Sequence, residues 1–236
     1  MRRHLTLPRT SIAGVASVIA DPSRVEMLDV LLDGEAHSIG RLARRAGITA
    51  ATASSHLRRL VEAGLVTTTR AGRENRVRLA GPAVAEVLEQ LATLASPPSR
   101  VNGHTQLDRL RFARTCYDHL AGALGVLVAT RLCDRGWLHR TSDNFEPAPQ
   151  LFAWLAKHGH PVSPDHRRPL SRACLDWTER EPHVAGRIGA ALVAVLRAER
   201  WVQNVRDSRA LRLTERGRAG LLRELDVQLP GQVLPG

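Results

Sequence analysis

The chain has 236 residues, 43% of them apolar, which is room for one large or two small domains that each bury a core. Its longest apolar run, residues 120–129, is broken by Gly122 and Gly125 and falls well short of the roughly 20 residues that cross a bilayer, so no membrane partner is expected. A net charge of +11 points to a polyanionic partner, and three cysteines, an odd number, fit free thiols in a reducing, cytoplasmic setting.

Residues 1–10 carry Arg2, Arg3 and Arg9 and read as a flexible arm, laid along a DNA backbone or simply solubilising. Early arginines ahead of an apolar run also fit a signal peptide, but residues 12–19 read better as a first helix. A second helix is expected over residues 22–33, with Val25, Leu28, Val30 and Leu31 on a broad apolar face. Two more follow, residues 38–46 opening on Ser38 and residues 49–63 opening on Thr49; both hydroxyls can accept from a free helix N–H. In the last of these, Ala53, Leu57, Leu60 and Val61 share a face that the spacing predicts to be buried. Thr52, Ser55 and Arg59 lie opposite, flanked by His56 and Arg58, a short, polar, basic surface suited to a major groove. Gly64 stops the helix, and residues 66–70 and 76–79 read as strands around a turn, studded with Arg70, Arg73, Arg76 and Arg78. A helix-turn-helix followed at once by a basic hairpin is a winged helix.

The stretch SSHLRRLVEAGLVTTTRAGRENRVRL resembles the recognition helix and wing of ArsR-family transcriptional regulators, and ADPSRVEMLDVLLDGEAHSIGRLA resembles that family's entry helices. The likeness covers residues 11–95. It implies a homodimer on double-stranded DNA, most simply a repressor released by a metal or small-molecule effector. Thr49, Thr52, Ser55, His56 and Arg59 are then expected in the groove, and Arg58, Arg70, Arg73 and Arg76 on phosphates or in the minor groove. Family members often carry Gln where this chain has Ala50, so bidentate adenine readout is not available there. Two further departures bear on the effector. Residues 38–46 lack the cysteines of arsenic-type sensors, and residues 83–95 offer only Glu86 and Glu89 where zinc-type sensors carry ligands. The effector site is expected elsewhere.

Residues 82–95 read as a helix with Val84, Val87, Leu88, Leu91 and Leu94 along a stripe for dimer pairing or core packing. Residues 96–105 are a linker by composition, residues 106–228 a C-terminal regulatory domain, and residues 229–236 a tail. Within the C-terminal domain an internal repeat aligns His119, Gly122, Gly125 and Trp137 with His183, Gly186, Gly189 and Trp201 at an offset of 64. The fold expected is mainly α with small β-hairpins (α+β): a winged helix-turn-helix followed by two degenerate winged-helix-like repeats packed through small residues.

A Cys-x-Asp pair precedes each repeat, Cys116 and Asp118 before His119, and Cys174 and Asp176 before His183. Cys116 and His119 read as one face of a helix at i, i+3. Thiolate, carboxylate and imidazole together suit zinc, nickel, cobalt or copper; thiol redox sensing, an organic effector pocket and plain core packing are the alternatives. Cys133, unmatched in the second copy, is expected in the core, and His158, His160 and His166 form a loose loop cluster. An enzyme using the Cys/Asp/His set is a separate reading, but no phosphate loop, nucleophile elbow or cofactor fingerprint accompanies it. A sequence-indifferent architectural DNA protein is another. Residues 12–96 carry a net charge of only +1, which argues against it.

Overall fold

The computed structural model describes residues 12–72, 74–95, 106–142, 144–163 and 168–229. The N-terminal arm, Arg73, the 96–105 linker and His166 lie outside them. The chain divides after Ala85 into two compact units.

In the first unit, α1 (Ile12–Ile19) and α2 (Pro22–Leu31) meet at Asp21, whose carboxylate accepts from the Arg24 amide at 3.0 Å. β1 (His37–Ser38) runs into α3 (Ile39–Arg45), and Gly47, at φ 64°, makes the corner to α4 (Ala50–Glu62). Ser38 and Thr49 cap α3 and α4 by accepting from the Arg41 and Thr52 amides. β2 (Val66–Ala71) and β3 (Glu74–Leu79) form the wing, and β1 adds to β3 to give the sheet order β1-β3-β2. Met27, Leu31, Leu42, Ala53, Leu60 and Val77 close the core beneath it. The buried face of α4 is narrower than its spacing predicts: Ala53, Leu57 and Leu60 are covered, but Val61 is 42% exposed. Position 61 stands one residue off the i, i+4, i+7 line that faces the core.

α5 (Pro82–Leu94) turns part of its expected apolar stripe outward. Val87, Leu91 and Leu94 are exposed, whereas Ala85, Glu89 and Thr93, spaced one turn apart, are buried.

The second unit, from Glu86, adds α6 (Gln106–Phe112) and then one order of elements twice. First come the hairpin β4 (Arg114–Cys116)–β5 (His119–Ala121), α7 (Ala123–Asp134), the hairpin β6 (Leu138–Arg140)–β7 (Phe145–Pro147) and α8 (Pro149–Lys157). Then come β8 (Arg172–Leu175)–β9 (Pro182–Ala185), α9 (Gly186–Ala198), β10 (Val202–Asn204)–β11 (Leu211–Leu213) and α10 (Glu215–Leu225). Leu124, Leu132, Leu151, Ile188, Leu196 and Leu221 are among its buried core. Trp154 and Trp201 pack together in this core and Trp137 against it, with the His158 ring 4.6 Å from that of Trp154 and its Nδ1 3.1 Å from Glu199. His158 thus closes α8 as a half-buried partner of Glu199, and no metal-binding group among the described residues includes it.

The sequence reading of residues 116–119 as helix is overturned. Cys116 and His119 are cross-strand partners in a tight hairpin turned by Tyr117, at φ 60°, and Asp118. Cys174 and His183 are partners in the same way, the extra residues of the second copy being taken up in the connection between β8 and β9. Neither Asp118 nor Asp176 sits at a helix start.

Candidate metal centre and nucleic-acid interface

Hairpins β4–β5 and β8–β9 bring Cys116, His119, Cys174 and His183 to one buried point, with one donor atom from each within 4.8 Å of all the others. The two sulfurs are 3.9 Å apart and the two Nε2 atoms 3.2 Å apart. A zinc tetrahedron with Zn–S of ~2.3 Å and Zn–N of ~2.05 Å has S···S and N···N edges of about 3.8 and 3.3 Å. Both observed edges match it. Glycines make the approach possible: a Cβ on Gly125 of α7 would lie 2.7 Å from the Leu120 carbonyl and 3.6 Å from the His183 Cβ, and one on Gly189 of α9 would strike the Val184 carbonyl and come within 2.9 Å of the His119 Cβ. Each histidine therefore packs against the helix of the other copy, so the matched glycines admit side chains rather than a second helix.

The aspartates stand behind the histidines. His119 Nδ1 lies 3.4 Å from Asp118, and His183 Nδ1 lies 3.3 Å from Asp176. An imidazole that faces a carboxylate through Nδ1 keeps its hydrogen there and presents a bare lone pair at Nε2. Asp118 is also held by Arg168 at 2.6 Å. Asp176 is fully buried, 3.0 Å from Arg114 Nη2, and accepts from the Gly122 amide and from the amide and hydroxyl of Thr178. Arg114, itself fully buried, approaches Glu89 of α5 at 3.9 Å, and Arg209 reaches the other oxygen of Glu89 at 2.6 Å.

These contacts set the protonation of the centre. The hydrogen bond between the thiols, given by Cys116, lowers Cys174 into the thiolate range and, with burial, raises Cys116. Burial opposes charge on His119, but its bonds to Asp118 and Cys174 outweigh that and raise its pKa to about 9. Burial also opposes charge on Asp176, yet His183 and Arg114 hold its carboxyl well below the ordinary range. Cys133 lies apart from this set, its thiol pushed up by burial.

On the first unit, α4 leaves Thr49, Thr52, Ser55, Arg58 and Arg59 exposed, and the wing leaves Arg70 exposed and Arg76 half-buried, 3.5 Å from Glu74. His56 stands apart from that surface. Its Nδ1 is 3.1 Å from the buried Arg24, and its Nε2 is 3.8 Å from Asp21. Arg24 also donates to the Ser17 carbonyl at the end of α1, so His56 is occupied in joining α4 to the entry helices.

A helix-turn-helix domain family matches residues 19–69. The uncharacterized HTH-type transcriptional regulator YdfF of Bacillus subtilis is 38% identical over 224 residues, which span 93% of this chain and 99% of that one. The chain belongs to the ArsR-family helix-turn-helix transcriptional regulators. This ArsR-family regulator also resembles the HTH-type transcriptional regulator CmtR of Mycobacterium tuberculosis, 38% identical over 82 residues, 35% of this chain and 69% of that one. Among solved structures, the homodimeric winged helix-turn-helix domain of Mb0332 from Mycobacterium bovis, a possible ArsR-family regulator, is 30% identical over 35% of this chain and 76% of that chain, at a TM-score of 0.34. The regulator is a DNA-binding protein with a winged helix-turn-helix at its N-terminal end.

The structure of this ArsR-family regulator brings together all six residues singled out by the Cys-x-Asp pattern, with the aspartates as supports of the histidines rather than as donors to the centre. Sequence reasoning missed Arg114, Arg209 and Glu89 as parts of the same buried network. The available signal was a carboxylate at position 89 in line with Ala85 and Thr93, a polar group on a helix face the chain itself buries. No helix among the described residues is long and apolar enough to cross a membrane.

Proposed function

We propose that this regulator is a homodimeric, cytoplasmic repressor that reads operator DNA through α4 and the wing, and that an effector bound by the second unit releases it. The observation that carries the reading is the division of α4. Its cap and its Ala53, Leu57 and Leu60 face fix the helix, and Thr49, Thr52, Ser55 and Arg59 stand clear on the other side just before a basic hairpin. Short hydroxyl side chains fit a groove floor, and Arg59 supplies the guanidinium best suited to a guanine edge. Arg58, Arg70 and Arg76 are assigned to phosphates in this reading; Arg73 lies outside the described residues. Dimerisation is supported by the exposed Val87, Leu91 and Leu94 of α5, large apolar groups that a second copy would cover. The Cys and His side chains serve as ligands in this reading, and no catalytic role is assigned to them.

The test is affinity for a duplex selected from a random pool, measured at fixed salt. Arg59→Ala is expected to weaken the selected duplex by about 5–150-fold, the ~1–3 kcal/mol of a good base contact, while random duplex changes less. Unchanged binding removes α4 from the interface. Equal affinity of the unaltered protein for selected and random duplex would favour an architectural role instead.

A further inference from the structure

We propose that Cys116, His119, Cys174 and His183 form a four-coordinate site for a zinc-class divalent cation, and that this cation is the effector of the regulator. The second half of the proposal rests on the DNA-reading function above; the first half stands on the geometry alone.

Three independent features select a metal over a packed core. The donor set is two sulfurs and two imidazole nitrogens gathered within 4.8 Å, with the S···S and N···N separations at tetrahedral edge lengths, and soft thiolate with imidazole favours zinc and the later transition ions over magnesium or calcium. Both histidines face the centre through Nε2 and a carboxylate through Nδ1. The two Nε2 atoms stand 3.2 Å apart and point at one another, so a cation between them would take one nitrogen from each histidine. The two hairpins also supply the same pair, Cys116 with His119 and Cys174 with His183, each in cross-strand register. A β-hairpin that places a thiol opposite an imidazole is half a tetrahedral site, and here two halves meet.

The ligand set fills all four positions of the ion and leaves none for substrate, the form of a structural or signalling site rather than a catalytic one. The supports of the site lead outward to α5. Asp176 behind His183 is held by Arg114, and Arg114 and Arg209 converge on Glu89, which lies on the helix by which the chain enters the second unit. A dication at the centre fixes His183 and, through Asp176, the guanidinium next to Glu89.

The experiment uses the full-length protein purified without a tag under reducing conditions, stripped with chelator and titrated with Zn²⁺ and, separately, Co²⁺. One equivalent per chain is expected, with the cobalt form showing thiolate-to-metal charge transfer and the intense visible bands of tetrahedral Co²⁺. Cys116→Ser and His183→Gln should lose the stoichiometric ion, and Cys133→Ser should keep it. Asp118→Asn should keep the stoichiometry and lower affinity about 10–100-fold, a variant that stays informative if removal of a ligand unfolds the unit. Absence of stoichiometric metal, an octahedral cobalt spectrum, or retention by the Cys116→Ser protein overturns the site. For the effector half, Zn²⁺ should weaken the selected duplex about 5–150-fold in the unaltered protein and have no effect in Cys116→Ser. A loaded protein that binds DNA as tightly as the stripped one overturns that half. Failure to bind DNA in either state counts against the DNA-reading function and not against the metal site, which the metal ratio and cobalt spectrum decide by themselves.

Discussion

The two units handle polar side chains in opposite ways. Along α4, Thr52, Ser55, Arg58 and Arg59 are kept at the surface and only three small or aliphatic residues are buried, so the helix holds its shape without constraining what it displays. In the second unit, Arg114, Glu89, Asp176 and His183 are all buried completely, each beside an oppositely charged or ligating group. Charges that remain in water carry little stability and are free to meet a partner. Charges taken out of water are costly alone and tolerable only as a complete set. Substitutions should therefore separate cleanly, the first unit losing affinity with little loss of fold and the second losing fold or metal first.

The largest effect is expected at Arg114. Arg114→Ala leaves Asp176 and Glu89 buried without that cation and should destabilise the second unit by about 3–5 kcal/mol, read from the denaturant midpoint of that unit. An effect as small as that of a surface arginine would contradict the contrast. Gly189→Ala is next: its Cβ has no space between the Val184 carbonyl and His119, and overpacking of this kind costs about 1–3 kcal/mol. It should also lower metal affinity, because His119 has to move; a stable Gly189→Ala protein with unaltered metal binding would show that the close approach is not needed.

Acid should act on the same side of the comparison. The Asp176 carboxyl is held below its ordinary value of 3.8, because bonds to His183 and the Arg114 charge outweigh the cost of burial. A carboxyl depressed by folding contributes stability above its unfolded pKa and loses it as pH falls through the folded one. Stability of the stripped second unit should thus decline below about pH 4, and Asp176→Asn should be less stable at neutral pH and flatter with acid. An identical slope in both proteins would remove Asp176 as the cause. The smallest change belongs to the first unit: Thr49→Ala deletes one cap and should cost about 1 kcal/mol, seen as a modest fall in its melting temperature.

The winged-helix unit is legible in the sequence because its signals are local. Ser38 and Thr49 as caps, Gly47 and Gly64 as corners, and the Ala53–Leu57–Leu60 spacing all act within a turn or two of the helix they define. His56 is less legible, since its pairing with Arg24, 32 positions away, is invisible to local spacing. In the second unit the chemistry was visible before the geometry. The Cys-x-Asp pattern marks all six residues of the centre, but three-residue strands are too short to show alternation, and spacing alone suggested a helix where Cys116 and His119 face each other across a hairpin. The meeting of the two cysteines across 58 positions, and of Arg209 with Glu89 across 120, belongs to the tertiary fold and leaves no periodic trace. Buried arginine is decided by such partners and by nothing in its own neighbourhood.

The proposed contrast between an exposed DNA-reading surface and a buried centre of four metal donors is tested most directly by X-ray absorption at the zinc edge on the loaded, full-length protein. A four-atom shell is expected, with two sulfurs at about 2.3 Å and two nitrogens at about 2.0–2.1 Å, with the imidazole outer-shell pattern of both histidines, and loss of the stoichiometric zinc in Cys174→Ser. A shell of oxygen and nitrogen without sulfur would place the ion elsewhere and contradict it.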